Sequence, residues 1–261
     1  MIDHSVPCLP PLCEDEVLDE VNEQIRLIRK KNGLTFGTDA YLLAAYVKSM
    51  PSATVVDLGS GTGILPLLLL AKGKIANAVA VEIQPAFAEL IQKNAEINGF
   101  RDRIRTMCAD VRDLRPEDVG GEVALVVSNP PYMKVDAGKR NEHDEKFVAR
   151  HEVFGTIADF CASAARLLKH GGKFVCVWRP DRLTELFYAL HDARLEPKRV
   201  TLVHADENAE PCCALIESVK GASPGVRISP PLFLYEPSRD SKKRTLTVQA
   251  QKIYDTCTFF D

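Results

Sequence analysis

Positive charge is not in excess in this sequence: 33 Lys and Arg stand against 36 Asp and Glu, a formal net charge of −3. That excludes a protein that grips nucleic acid by overall charge, so any nucleic-acid role must rest on a local basic face. Long apolar runs are missing as well. The longest, "GILPLLLLA", falls short of the about 20 residues that a membrane-crossing helix needs. The N-terminus "MIDHSVPCLPPLCEDEV" has no basic segment followed by an apolar one, so no export signal is read there and a cytoplasmic location is expected. No C-x-x-C pair occurs among Cys8, Cys13, Cys108, Cys161, Cys176, Cys212, Cys213 and Cys257, which removes the common zinc and dithiol spacings. Cys108, Cys176, Cys212 and Cys213 sit in strand-like apolar runs, where a free thiol acts as a small buried hydrophobe, and no metal site is expected. Internal repeats and low-complexity tracts are absent too.

What is present is a chain of 261 residues, 46% of them hydrophobic, enough for one sizeable core. After an acidic, proline-rich start, "EQIRLIRKKNGLTFG" reads as a short ribbon or turn, followed by a helix from about Asp39 to Met50 capped by Thr38 or Asp39. Strands and helices then alternate. "TVVDLG", "NAVAVEI", "RIRTMCAD", "VALVVSN" and "KFVCVWR" are strands; "GILPLLLLAKG", "QPAFAELIQKNAEINGF", "TIADFCASAARLLKHGG" and "DRLTELFYALHDARL" are helices, the third of them ended by Gly171 and Gly172. In "QPAFAELIQKNAEINGF" the spacing sets Phe87, Leu90, Ile91, Ala95 and Ile97 on one face. Helical crossovers of this length imply parallel strands covered on both faces. The last two strands, "KRVTLVHA" and "CCALIESVK", are joined by "DENAEP", too short for a crossover, and form an antiparallel edge hairpin. The fold class is therefore α/β: a Rossmann-like, doubly wound, seven-stranded sheet, mostly parallel. Residues 36–236 carry this domain, 1–35 an N-terminal extension and 237–261 a C-terminal tail.

"DLGSGTG", Asp57 to Gly63, lies where a buried strand turns into a helix. Glycines there let backbone approach a ligand, and the helix N-terminus offers free N–H groups. Gly59, Gly61 and Gly63 alternate, unlike the G-x-G-x-x-G of dinucleotide sites, so a pyrophosphate cradle is not the natural reading. Glu82 ends the second strand, where an ionised carboxylate accepts two hydrogen bonds from a ribose diol; both NAD and S-adenosylmethionine carry one. The plainer reading of Glu82 is a solvated surface acid. Asp110, at the tip of the third strand, would meet an adenine amino group, and is otherwise a helix cap. The three tips together favour S-adenosylmethionine.

The fourth strand ends in "NPPY", Asn129 to Tyr132. This resembles the signature of class I methyltransferases that modify planar nitrogens: base amino groups or the glutamine amide. Such a nitrogen has a conjugated lone pair and is a poor nucleophile. The Asn129 side-chain oxygen and the Pro130 carbonyl can accept its two N–H bonds, Pro130 and Pro131 stiffen the loop before substrate arrives, and Tyr132 offers a stacking face. Adenine and glutamine remain the leading acceptors.

Taken with "GLTFGTDAYLLAAYV", "VEIQPAFAELIQKNAEING", "ARHE", "ARLLKHGGKFVCVWRPDRLTEL" and "LEPKRVTLVH", these motifs look like the bacterial tRNA1(Val) (adenine-N6)-methyltransferase family, whose members methylate the adenosine next to the anticodon. The resemblance implies the class I methyltransferase fold. It also implies S-adenosylmethionine as cofactor, leaving as S-adenosylhomocysteine, and tRNA as partner. By position, Phe36, Gly37, Thr38 and Asp39 would fold over the methionine end. Asp57, Gly59, Gly61, Gly63, Glu82, Ile83, Asp110, Val111 and Asn129 would hold the rest. Arg26, Arg29, Lys30 and Lys31 form the densest basic run and are expected at RNA phosphates. Lys134, Lys139, Arg140 and Arg150 lie on a loop whose acids nearly balance them, so a solvated loop is an equal reading. "KKR" at 242–244 is a second basic candidate, and His151 reads as structural or solvated rather than as a base. Two competing readings are a protein glutamine N5-methyltransferase, which normally brings an extra N-terminal helical domain, and a non-catalytic cofactor- or RNA-binding module. A nicotinamide oxidoreductase fits the glycine spacing least.

Overall fold

The computed structural model describes residues 12–31, 37–130, 155–237 and 244–259. Strands β1 (Glu16–Asn22) and β2 (Ile25–Lys30) form a separate antiparallel hairpin, turned by the Asn22 side chain, whose Oδ1 accepts from the backbone N–H of Gln24 and Ile25. The chain then alternates α1 (Thr38–Tyr46), β3 (Thr54–Leu58), α2 (Ile64–Ala71), β4 (Asn77–Glu82), α3 (Pro85–Ile97), β5 (Ile104–Cys108) and β6 (Val123–Ser128). There follow α4 (Ile157–Leu167), β7 (Leu168–Trp178), α5 (Leu183–Asp192), β8 (Leu195–His204), β9 (Pro211–Lys220), the two-residue strands β10 (Arg227–Ile228) and β11 (Leu232–Phe233), and α6 (Val248–Thr256).

The seven long strands from β3 to β9 stand in the order β8-β9-β7-β6-β3-β4-β5, parallel except for β9, which runs antiparallel between β7 and β8. The expected doubly wound sheet and its antiparallel hairpin are both there. β10 and β11 add parallel to the outer edge of β8 and bring the sheet to nine strands. Segments this short leave no periodicity to read, and their proline-rich surroundings suit a sheet edge, where a missing N–H costs nothing. From β3 the chain moves outward through β4 and β5, then returns to the other side of β3 as β6. That reversal opens a crevice at the C-terminal ends of β3 and β6, the place where open α/β sheets bind ligands.

Alternate residues of each strand feed two cores. Val55, Val127, Val175, Val203 and Leu215 meet α1, α2, α3 and α6 on one face; Val56, Val126, Phe174, Ala214 and Ile216 meet α4 and α5 on the other. Ile25 and Leu27 of the hairpin, and Ala250, Ile253 and Cys257 near the C-terminus, belong to the first core. Among the described residues no helix is long and apolar enough to cross a membrane.

Some local expectations are corrected. The N-cap of α1 is Gly37, without a side-chain cap, and the helix stops at Tyr46 rather than Met50. Its end is closed by Lys74, whose ammonium donates to the carbonyls of Ala44, Ala45 and Val47 at 2.8, 3.0 and 2.7 Å. Burial holds the Lys74 pKa down at about 8. Gly171 and Gly172 do not end α4. They lie within β7, where the register against β6 slips, and a Cβ on Gly172 would meet the Lys169 carbonyl at 2.8 Å, so the pair serves a bulge. Cys176 and Cys213 are buried, but Cys108 and Cys212 are exposed. Cys108 is the last residue of β5. Cys212 is the extra residue of a bulge in β9, since Val203 pairs with Cys213 and His204 with Pro211.

Candidate active site

At the end of β3 the chain turns through Gly59, Gly61 and Gly63, all left-handed with φ of +73°, +57° and +83°. Two of these positions show why glycine is required. A Cβ on Gly59 would press the Phe160 ring of α4 at 3.2 Å, whereas one on Gly61 would meet nothing within 4 Å among the described residues, so there the left-handed φ alone asks for glycine. The N–H groups of Gly59 and Ser60 donate to the Val81 carbonyl, which binds the loop to β4.

Glu82 completes that link. It is 6% exposed, so it is no solvated surface acid. Its Oε2 accepts from the Gly61 N–H at 2.9 Å, and its Oε1 from the Gln84 N–H at 3.0 Å. Oε2 keeps a second lone pair, while Oε1 also accepts from the Gln84 side-chain amide at 3.4 Å, so a vicinal diol displaces only that long contact and leaves the loop intact. Asp57 is buried beneath. Burial pushes its carboxyl up to about 7; the 2.5 Å hydrogen bond from Ser60 Oγ pulls down, and the charge of Glu82 pushes up again. Asp110 behaves differently from the expectation of a waiting acceptor. Its carboxylate is engaged by the Arg112 guanidinium and backbone N–H, and the Arg112 hydrogen bond holds its pKa low. Val111 is buried in the second core, and Ile83 is half-buried beside Glu82.

Ser128, the last residue of β6, is fully buried and donates from Oγ to the Leu58 carbonyl at 2.7 Å. This hydrogen bond ties the tips of β3 and β6 together and sets the half-buried Asn129 and buried Pro130 beside the glycine loop. Across the crevice α4 begins at a reciprocal Thr156–Asp159 cap, which aims Phe160 under Gly59. Gly37, Thr38 and Asp39 open α1. The charge of Asp39 lies near Cys212 and Cys213. Phe36, Pro131, Tyr132, Lys134, Lys139, Arg140, Arg150 and His151 lie outside the described residues, as do the two lysines of "KKR".

Three members of the basic run are engaged by the hairpin's own acids or by α3. Arg29 pairs with Asp19 at 2.5 Å, Lys30 with Asp15 at 2.9 Å and Glu16 at 3.5 Å, and Arg26 donates to the Ile97 carbonyl at 3.1 Å. Lys31 is exposed at the end of the run.

Four residues that shape the site were not singled out from sequence: Ser60, Ser128, Phe160 and Asn94. Asn94 left a signal, an amide on the stripe of α3 that otherwise buries Leu90, Ile91, Ala95 and Ile97. The two serines left none, because hydroxyls at strand ends are common for many reasons.

Residues 31–191 match the model of the methyltransferase small domain family. Over 181 residues the chain is 31% identical to a tRNA1(Val) (adenine(37)-N6)-methyltransferase of Porphyromonas gingivalis, covering 67% of this chain and 70% of that protein. A protein of the same name from Bacteroides fragilis is 28% identical, with 74% and 81% covered. Among solved structures, a predicted O-methyltransferase from Agrobacterium tumefaciens superposes with a TM-score of 0.67 at 22% identity, over 85% of this chain and 98% of that one, a likeness of fold.

Proposed function

The chain belongs to the methyltransferase small domain family, and from that membership we propose that it transfers a methyl group from S-adenosylmethionine to N6 of an adenine in tRNA, next to the anticodon. One observation carries the site assignment: the Ser128–Leu58 hydrogen bond, which joins the tip bearing Asn129 and Pro130 to the glycine loop. The loop suits the cofactor by its own geometry. Among the described residues nothing stands within 4 Å of a Cβ placed on Gly61, and Glu82 is buried and fixed, with a free lone pair on Oε2 and only the 3.4 Å Gln84 side-chain contact to displace on Oε1.

When bound, the cofactor would supply a methyl group on a sulfonium, whose carbon–sulfur bond breaks with its electron pair staying on sulfur, leaving S-adenosylhomocysteine. The protein's part is to make the adenine nitrogen reactive and to aim it. The Asn129 side-chain oxygen and the Pro130 carbonyl take the two N–H bonds, so the nitrogen bends out of plane and its lone pair turns toward the methyl. As the N–C bond forms, one N–H proton becomes acidic and leaves to water, so no strong base is needed. Tyr132, by its place in the motif, would stack the base.

The test is transfer of tritiated methyl to unmodified total tRNA, with protein extract in parallel and Asn129→Ala as control. Label recovered as N6-methyladenosine in tRNA, and lost by at least a hundredfold in the variant, is expected. Label in protein alone would make glutamine the acceptor. Label in neither would end the methyltransferase reading.

A further inference from the structure

The N-terminal hairpin lies outside the sheet that makes the crevice, yet one side chain joins it to the glycine loop. Asn94 is 0% exposed on the apolar stripe of α3. A buried amide is tolerated when its donors and acceptor are filled, and here they are. Its Oδ1 accepts from the Ile28 N–H at 2.6 Å, and its Nδ2 donates to the Ile28 carbonyl at 3.0 Å and to the Thr62 carbonyl at 2.9 Å.

One turn later Asn98 repeats the first half of this pattern. It accepts from the Arg26 N–H at 2.9 Å and donates to the Arg26 carbonyl at 2.7 Å. The spacings agree, because four helical residues rise about 6 Å and two strand residues about 6.6 Å. The two amides thus act as a strand partner along the free edge of β2. They differ in the second N–H. Asn98 gives it to the Asn94 carbonyl of its own helix, while Asn94 gives it to the glycine loop.

That bond falls where the loop is weakest. The Thr62–Gly63 peptide sits among left-handed glycines, and a peptide beside glycine is the one most free to flip. Asn94 holds its carbonyl, and the Ser60 carbonyl accepts from its N–H at 2.9 Å. Ile91, one turn earlier, packs against Gly63, where a Cβ would meet it at 3.2 Å. Resting on the cofactor reading above, we propose that Asn94 is a positioning residue of the cofactor site: anchored on the hairpin, it fixes the Thr62–Gly63 peptide so that the Gly61–Gly63 turn is formed before cofactor arrives. The hairpin is then part of the site's framework rather than an appendage.

Asn98 supplies the control, since it latches the same hairpin without touching the loop. Asn94→Asp keeps the size and the acceptor for the Ile28 N–H but as a carboxylate donates to neither the Ile28 nor the Thr62 carbonyl. Asn98→Ala likewise takes a donor from the hairpin while sparing the loop. In the protein without cofactor, amide hydrogen exchange at Gly61 and Gly63 should speed at least tenfold in Asn94→Asp and stay unchanged in Asn98→Ala. Affinity for S-adenosylhomocysteine should drop about tenfold, about 1.4 kcal/mol, in Asn94→Asp and stay within twofold in Asn98→Ala, even where the two lower Tm alike. Unchanged glycine exchange in Asn94→Asp, or equal effects of the two variants on affinity, would overturn the inference. Wild-type protein that binds no S-adenosylhomocysteine would instead sink the cofactor reading, and the exchange result would still decide the strut.

Discussion

The glycine loop and the basic run of β2 both read as ligand-facing in the sequence, and the folded chain treats them in opposite ways. The loop's N–H groups are held by Val81 and Glu82, and among the described residues nothing stands within 4 Å of a Cβ placed on Gly61. The charges of β2 are already answered by Asp19, Asp15, Glu16 and the Ile97 carbonyl. What separates them is locality. A left-handed turn is written in the residues that make it, whereas the fate of a charge depends on what another strand brings opposite. Glu16 faces Lys30 across the hairpin, and Asp19, opposite Leu27, lies diagonal to Arg29. The acids of "CEDEVLDEVNE" are plain in the sequence; that they pair with this particular run is a matter of register.

The strongest way to break the comparison is to disable the loop through Glu82. In Glu82→Gln one oxygen becomes an amide donor, so either the Gly61 N–H or the Gln84 N–H loses its acceptor, and the diol would meet a donor. Hydrogen bonds to a charged partner are worth about 1.5–3 kcal/mol each, so affinity for S-adenosylhomocysteine should fall at least about a hundredfold by titration calorimetry. A loss under fivefold would mean that the loop is not the cofactor site.

Asp57 sharpens the same side of the comparison. Its folded pKa, about 7, stands above the ordinary 3.8, so the native state holds a proton that the unfolded chain has released. The sign follows: this contribution is fully present below pH 4, declines as pH rises toward 7, and is flat above. Stability of the wild type minus that of Asp57→Asn, from urea unfolding, should therefore drop by a few kcal/mol between pH 4 and pH 8. A difference that stays level or rises would show that burial does not govern Asp57.

The same distinction explains how much could be read in advance. Strand and helix alternation, the hairpin made unavoidable by "DENAEP", the glycine turn and the strand-tip place of Glu82 all follow from short stretches, and all reappear in the fold. Gly171 and Gly172 misled because two glycines end a helix or ease a bulge equally well, and only the register of β6 against β7 decides. Ser128 and Asn94 act through carbonyls 70 and 32 residues away, at Leu58 and Thr62. Such bonds leave no periodic trace; only the odd amide on an apolar stripe hints at one.

The smallest effect concerns the basic run itself. If its charges serve the hairpin, Arg29→Ala removes a half-buried surface ion pair with Asp19 and should lower stability by about 1 kcal/mol. The KM for tRNA should change less than twofold. Each phosphate contact contributes about 0.9 to the slope of log affinity against log salt, so that slope should be unaltered in Arg29→Ala. Lys31 is the informative neighbour, because it stands exposed where the run ends. A slope reduced by about one in Lys31→Ala but not in Arg29→Ala would confine RNA contact to the end of the strand. A reduction in both would mean that Asp19 releases Arg29 to phosphate when RNA binds, and the pairing seen here would be a resting arrangement of an RNA-binding face.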